Sequence, residues 1–181
     1  MKDLTMERKF TQPLTGIAVG SDGTRIEGYA SLFGAEDQGG DIVEPGAYAA
    51  SLRRLVQGGN SVKMLWQHDP SEPIGIWDTV HEDSRGLWVR GRILPEVARG
   101  REAAALIRAG AIDGLSIGYR TLRSTKDSRG RRHLAEVDLW EVSLVTFPML
   151  REARLAAKGA PAVLLHDMTA AMAQARARLM G

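Results

Sequence analysis

The 181-residue chain contains no cysteine. This absence excludes disulfide bonds, thiolate catalysis and cysteine-rich zinc sites, and it fits a reducing cytoplasm. No apolar run approaches the length of a membrane span, and the first eight residues lack the apolar core of a signal peptide. The net charge of +2 gives no reason to expect general nucleic-acid binding. We therefore expect a cytoplasmic protein that binds neither membrane nor nucleic acid.

The composition is that of a globular domain with a basic C-terminal segment. Apolar residues make up 44% of the chain and charged residues 25%. Residues 1–150 carry a net charge of −1 and residues 151–181 a net charge of +3. In the last segment, apolar residues recur every three or four positions from Leu165 to Leu179, which predicts a helix with a narrow apolar seam. We expect one domain at 1–158 and a helical tail at 159–181.

Hydrophobic periodicity predicts about seven strands and two helices in the domain. The helices are expected at 47–57, ending at the glycines that follow, and at 95–110, opened by a proline and closed by Gly110. The strands do not alternate one to one with helices, which favours an α+β domain with a largely antiparallel sheet. The strands are predicted at 9–19, 24–33, 62–66, 74–80, 86–94, 113–121 and 133–147, with turns at 69–73 and a polar connection at 124–132.

A serine between two glycines, Ser116 in GLSIGY at 114–119, lies inside an apolar strand. Such a hydroxyl needs a partner or a function, and a bond to a neighbouring carbonyl would be the simplest. The flanking glycines would leave room for a substrate backbone. Ser116 becomes a nucleophile only with a base nearby. His68 is the best candidate, because it follows an apolar strand at the start of a loop, where catalytic groups are often found.

A third group should orient the imidazole of that histidine. Asp69 is adjacent to His68 in sequence, so its side chain should leave the strand on the opposite face. Glu141 lies in a strongly apolar strand, where a carboxylate is costly unless it is paired. It would pair with an imidazole or with one of many arginines. Glu136 and Asp138 remain alternatives.

Other polar groups are expected to be structural or solvated. His81, His133 and His166 lie in polar or tail segments. The carboxylates of the loop at 34–46 (Glu36, Asp37 and Asp41) lack the spacing of a calcium loop, so we expect solvated acids rather than a cation site. The match to the G-x-S-x-G elbow of α/β-hydrolases is a weaker interpretation, because residues 119–122 continue as a strand and no helix follows.

Taken together, these segments resemble the prohead serine proteases of tailed phages of the HK97 type. The resemblance runs from about residue 27 to about residue 154. Its motifs are short and unspecific one by one, but they occur in the family's order. They are GYASLF at 28–33, GDIV at 40–43, PGAY at 45–48, LWQHD at 65–69, PIG at 73–75, GLWV at 86–89, GLSIGY at 114–119 and EVSLVTFP at 141–148.

The resemblance implies a compact β-barrel wrapped by a few helices, like that of the herpesvirus assembly proteases. It implies a serine endopeptidase with Ser116 as nucleophile and His68 as general base, and Glu141 occupies the segment of the third group. No metal or cofactor is implied. The implied substrate is the scaffold, or the N-terminal scaffolding segment of the major capsid protein, inside the prohead of a phage or a gene transfer agent in the bacterial cytoplasm.

The family further implies cleavage of the protease itself and self-association within the prohead. From its charge and its apolar seam, the basic tail is expected to dock on capsid or scaffold, or to be removed by self-cleavage. The competing hypothesis is a capsid-assembly or scaffold-binding module without catalysis, in which His68 and Ser116 are vestigial. An esterase is the third possibility.

Overall fold

The computed structural model describes residues 7–10, 18–19, 24–37 and 39–146. Seven strands of four or more residues are present there, the number predicted from the sequence, together with two shorter strands and two helices. The elements are β1 (Glu7–Phe10), β2 (Ala18–Val19), β3 (Arg25–Leu32), β4 (Asp41–Val43), α1 (Ala49–Gln57), β5 (Lys63–Trp66), β6 (Asp69–Glu82), β7 (Gly86–Ile93), α2 (Ala98–Arg108), β8 (Gly114–Lys126) and β9 (Arg132–Val145).

All strands belong to one sheet in the order β1-β8-β9-β5-β6-β7-β3-β2, with β4 paired to β9 outside that path. Neighbours are antiparallel except at β9, where β4 and β5 run parallel to it. Register shifts interrupt several ladders, and such bulges bend and twist a sheet. The sheet therefore curls until β3 contacts β8. The expected α+β fold with a largely antiparallel sheet is confirmed. The implied β-barrel is a half-barrel, in which no ladder joins β1 to β2 within the described residues.

Both helices end where the sequence predicted, at glycines with left-handed backbone. Gly59 after α1 has φ 66° and Gly110 after α2 has φ 70°. In each case the following amide donates to a carbonyl in the last turn, that of Leu55 in α1 and that of Leu106 in α2. This is the Schellman arrangement, which side chains with a β-carbon disfavour. Neither helix, nor any other in the described part of the chain, is long and apolar enough to cross a membrane.

The core is densest where β8 and β9 cross it. The first six residues of β8 and the last five of β9 are all buried. Trp77 from β6 packs there and donates its indole N–H to the carbonyl of Val142 at 3.1 Å. Because both faces of this strand pair are covered, any polar side chain on it must find a partner within the protein.

Several predicted boundaries were wrong. Helices α1 and α2 begin later than predicted, at Ala49 and Ala98, and Val97 before α2 still has extended backbone. The strand expected at 9–19 is instead β1, which ends at Phe10, and the short β2, with residues 11–17 outside the described ranges. The turn expected at 69–73 is the start of β6. The connection expected at 124–132 shrinks to 127–131, because β8 continues to Lys126 as an exposed, polar strand. Its pairing with β9 is held by backbone hydrogen bonds, to which hydrophobic periodicity is blind.

The loop carboxylates also differ from expectation. Asp41 is buried, and it accepts a hydrogen bond from Arg132 Nε at 2.7 Å. Asp37 accepts the amides of Gly39 and Asp41 at 2.9 and 2.8 Å. These acids therefore hold the loop against the start of β9 instead of being solvated. The predicted boundary between 1–158 and the tail at 159–181 lies outside the described residues.

Candidate active site

Adjacent strands β8 and β9 bring the two polar candidates of the apolar core to one face of the sheet. Ser116 lies directly opposite Ser143, and Gly118 lies directly opposite Glu141. Alternate residues of paired antiparallel strands share a face, so these four residues form one patch. β8 continues as a strand for ten residues beyond Ser116, to Lys126. The strand-turn-helix context of an α/β-hydrolase elbow is therefore absent.

His68 reaches the patch from the other side of β9. β5 runs parallel to β9 up to the pair of Trp66 with Leu144. The chain then reverses in a two-residue loop, because Trp66 pairs with Asp69. Gln67 has φ 53° and His68 has φ 63°, the only non-glycine residues with positive φ in the described ranges. Two-residue hairpins favour this conformation, but Asn and Gly supply it best, and other side chains cost about 1–3 kcal/mol each.

The three side chains form a continuous hydrogen-bonded chain. His68 Nε2 lies 2.7 Å from Ser116 Oγ, and His68 Nδ1 lies 2.5 Å from Glu141 Oε1. The exposed fractions are 3% for His68, 0% for Ser116 and 2% for Glu141. A carboxylate can only accept here, so these partners assign the ring proton to Nδ1 and leave Nε2 to accept from the serine hydroxyl. This tautomer is the one in which imidazole can take a proton from Ser116.

Two further residues complete the environment of Glu141, and the sequence analysis missed both roles. Ser143 Oγ donates to Glu141 Oε2, so both carboxylate oxygens have a partner. Gly118 leaves the space that the Glu141 side chain fills, since a β-carbon at position 118 would lie 2.1 Å from Glu141 Oε1. The room predicted at Gly118 for a substrate backbone is occupied by the Glu141 side chain. The signal available in the sequence was the spacing. Gly118 follows Ser116 by two residues and Ser143 follows Glu141 by two residues, so each pair shares one face of its strand.

The alternative acids are occupied elsewhere. Asp69 accepts the amide and hydroxyl of Ser71 at 2.8 and 2.6 Å, and the hydrogen bond from that hydroxyl lowers the pKa of Asp69. Glu136 lies 3.6 Å from Arg54. Neither acid is directed at His68 by these contacts.

Asp138 anchors helix α1 to the sheet. It accepts hydrogen bonds from Arg54 at 3.2 Å, from Arg120 at 3.2 Å and from the indole of Trp140 at 3.1 Å. Burial raises the pKa of Asp138, but the hydrogen bonds from Trp140 and Arg54 outweigh it and lower the pKa overall. Asp138 is therefore a structural ion-pair partner.

The other described histidines lie away from this chain of contacts. His81 is exposed on β6. His133 lies between two acids, with Nδ1 2.5 Å from Glu44 and Nε2 3.4 Å from Asp127. Those two contacts, with Glu44 first, raise the pKa of His133. His166 lies outside the described residues. In the described part of the chain, no three His, Asp or Glu side chains are placed to hold a metal ion.

Residues 13–164 match the family described as caudovirus prohead serine protease. The prohead protease of Enterobacteria phage HK97 is 35% identical over 135 residues, which are 73% of this chain and 59% of that protein. The chain thus spans less than two thirds of that relative's length.

Two solved structures are similar in fold. The capsid assembly protease of bacteriophage T4 superposes with a TM-score of 0.62 at 18% identity, covering 79% of this chain and 98% of that one. The varicella-zoster virus protease gives a TM-score of 0.37 at 14% identity, over 70% of this chain and 59% of that one. The first likeness supports the half-barrel fold, and the second is too weak to add to it.

Proposed function

The chain belongs to the caudovirus prohead serine protease family, and from that premise we propose that it is a serine endopeptidase of capsid maturation. Its proposed substrate is the scaffold, or the N-terminal scaffolding segment of the major capsid protein, inside the assembling prohead of a tailed phage or a gene transfer agent. Self-cleavage and self-association within the prohead belong to the same proposal, with the basic tail as docking segment or cleaved segment.

The observation that carries the proposal is the hydrogen-bonded chain from Ser116 through His68 to Glu141. In acyl transfer, Ser116 Oγ attacks the scissile carbonyl carbon while its proton passes to His68 Nε2, 2.7 Å away. The imidazolium that forms is stabilised by the carboxylate of Glu141 on Nδ1. His68 then protonates the leaving amine, and water, activated by the same imidazole, hydrolyses the acyl-serine.

Burial strengthens the attraction between Glu141 and His68, and it restricts the access of a peptide substrate to Ser116. In a water-excluded site, the carboxylate and the imidazolium attract each other more strongly than they would in water. Ser116 is fully buried, so a peptide reaches it only when the groups that cover it move. The proposed endopeptidase therefore becomes active only after a rearrangement that uncovers Ser116.

The test is co-expression of the chain with the complete set of capsid-assembly genes of its particle, read by the mass of the capsid subunit. The wild type should shorten the subunit or its scaffold, and Ser116→Ala should abolish the cut. Ser124→Ala is the matched control, because it makes the same change at the exposed end of the same strand.

Each outcome distinguishes the hypotheses. Shortening with Ser124→Ala but not with Ser116→Ala supports the proposal. Shortening with Ser116→Ala as well means that another enzyme cuts, and that this chain assists assembly without catalysis. No shortening with the wild type and the complete gene set refutes the proposal.

A further inference from the structure

We propose that Gln67 is a positioning residue for His68: its side-chain amide clamps the turn that carries the imidazole to Thr146 at the end of β9. The inference deepens the proposed function, since it rests on His68 acting as the base. It concerns a pair of residues outside the hydrogen-bonded chain of Ser116, His68 and Glu141.

The turn needs a support because of its backbone. A two-residue loop with positive φ at both positions is comfortable for Asn-Gly, but here it is built from Gln67 and His68. Neither side chain is the usual choice at its position. Without a contact to another segment, the turn would lower its free energy by relaxing toward negative φ. The His68 ring would then leave the face of the sheet where Ser116 lies.

The support comes from β9. The amide N–H of Gln67 donates to the carbonyl of Leu144 at 2.9 Å. The side-chain oxygen Oε1 accepts the backbone N–H of Thr146 at 3.3 Å, and Nε2 donates to Thr146 Oγ1. The side-chain amide of Gln67 thus makes the hydrogen bonds to Thr146 that a further peptide group of β5 would make if the strand continued. The parallel pairing with β9 continues for two residues after the main chain has turned away.

These contacts attach His68 to β9, the strand that also carries Glu141. Glu141 is held within β9, and Thr146 follows the end of the same strand five positions later. His68 is fixed to β9 through the Gln67 clamp and through its bond to Glu141. The ring must satisfy two short contacts at once, 2.7 Å to Ser116 and 2.5 Å to Glu141, so a small rotation of the turn breaks one of them. Misplacement by about 1 Å is enough to cost about a hundredfold in rate.

The variants separate the effect of the hydrogen bonds between Gln67 and Thr146 from the effect of the backbone conformation of the turn. Gln67→Asn favours positive φ more than glutamine does, but its amide is one methylene too short to reach Thr146. Thr146→Val removes the hydroxyl at nearly constant shape, and Thr146→Ser restores it. Thr79→Val is the matched control, because Thr79 is also a half-buried threonine whose hydroxyl accepts one side-chain bond, from Arg90.

Two readouts are taken for each variant. One is the rate of capsid-subunit shortening in the co-expression assay. The other is the proton NMR signal of His68 Nδ1–H in the isolated chain, which a 2.5 Å bond to a carboxylate moves far downfield, and which is assigned by its loss in His68→Gln. Gln67→Asn and Thr146→Val should each slow shortening by between about tenfold and about a hundredfold, the upper limit being the cost of a misplacement of about 1 Å, and should broaden or shift the proton signal. Thr146→Ser and Thr79→Val should resemble the wild type.

The double variant Gln67→Asn/Thr146→Val should be no slower than Gln67→Asn, because Gln67→Asn already loses the bond to the Thr146 hydroxyl that Thr146→Val removes. Gln67→Asn with wild-type shortening and an unmoved proton signal overturns the inference. So does a Thr146→Val protein that keeps both. If the wild type does not shorten the subunit, the proposed function fails, and the proton signal alone still decides whether Gln67 positions the ring.

Discussion

Replacing Gly118 by alanine should disable the site while leaving the sheet largely intact. A β-carbon at this position would lie 2.1 Å from Glu141 Oε1, 2.7 Å from Cδ and 2.8 Å from Cγ. Side chains do not tolerate contacts this short, so the glutamate must move. The closest atom is the oxygen that accepts from His68 Nδ1, and the other oxygen is held by Ser143. The glutamate can yield only by giving up its bond to His68.

The expected loss of rate follows from the role of the Glu141 carboxylate. Loss of the carboxylate function in a serine–histidine–acid site lowers turnover about ten thousandfold, and a displacement of about 1 Å costs about a hundredfold. Gly118→Ala keeps the carboxylate but displaces it, so shortening of the capsid subunit should slow between about a hundredfold and about ten thousandfold. The added methyl group should cost about 1–3 kcal/mol of the free energy of unfolding.

The assay pairs the shortening rate with thermal unfolding. Gly86→Ala is the contrasting control, because its β-carbon would collide with the backbone of Ser31 and Leu32 on β3 and not with Glu141. It should lower stability more than Gly118→Ala, while the folded fraction keeps its activity. The double variant Gly118→Ala/Glu141→Ala has no glutamate to displace, so it should be as slow as Glu141→Ala and no slower. A Gly118→Ala protein with wild-type shortening, or a double variant slower than Glu141→Ala, would refute the reasoning.

Two further predictions concern the acid and the loop. Ser143→Ala removes the donor to Glu141 Oε2 and leaves a buried carboxylate oxygen without that partner, so shortening should slow about tenfold in the co-expression assay. Glu44 and Asp127 raise the pKa of His133, so their contacts stabilise the fold below about pH 6.5, and this contribution is lost as pH rises through the raised pKa. His133→Gln should therefore lower the free energy of unfolding in urea more at about pH 6 than at about pH 9.

Each of these has its own control. Ser143→Thr keeps a hydroxyl and should recover part of the rate, and equal rates for the alanine variant and the wild type would contradict the role of Ser143. Ser124→Ala removes an exposed side chain that does not titrate, and it should show no such pH dependence. An equal loss of stability at both pH values in His133→Gln would contradict the ion-pair argument.

The sequence by itself determined the elements that local physics controls. Apolar periodicity predicted the helices at 47–57 and 95–110, and the glycines predicted their ends because Gly59 and Gly110 adopt positive φ. Apolar patterning also identified Ser116 and Glu141 as candidates, because a polar group inside an apolar strand is costly unless it is paired. His68 became a candidate because it follows an apolar strand at the start of a loop. That cost is a property of each residue and its neighbours in the chain, so it can be judged without coordinates.

Tertiary structure alone decided how these groups meet. The parallel pairing of β5 with β9 and the antiparallel pairing of β8 with β9 bring together residues 73 and 48 positions apart in sequence. Strand register, which periodicity does not fix, set Gly118 opposite Glu141 and Ser143 opposite Ser116. The reversal at Gln67 and His68 was not predicted, because this pair lacks the Asn-Gly signal of a two-residue hairpin and its supporting contact is with Thr146, far along the chain. Contacts between distant segments exist only after the sheet has curled, so no local pattern in the chain encodes them.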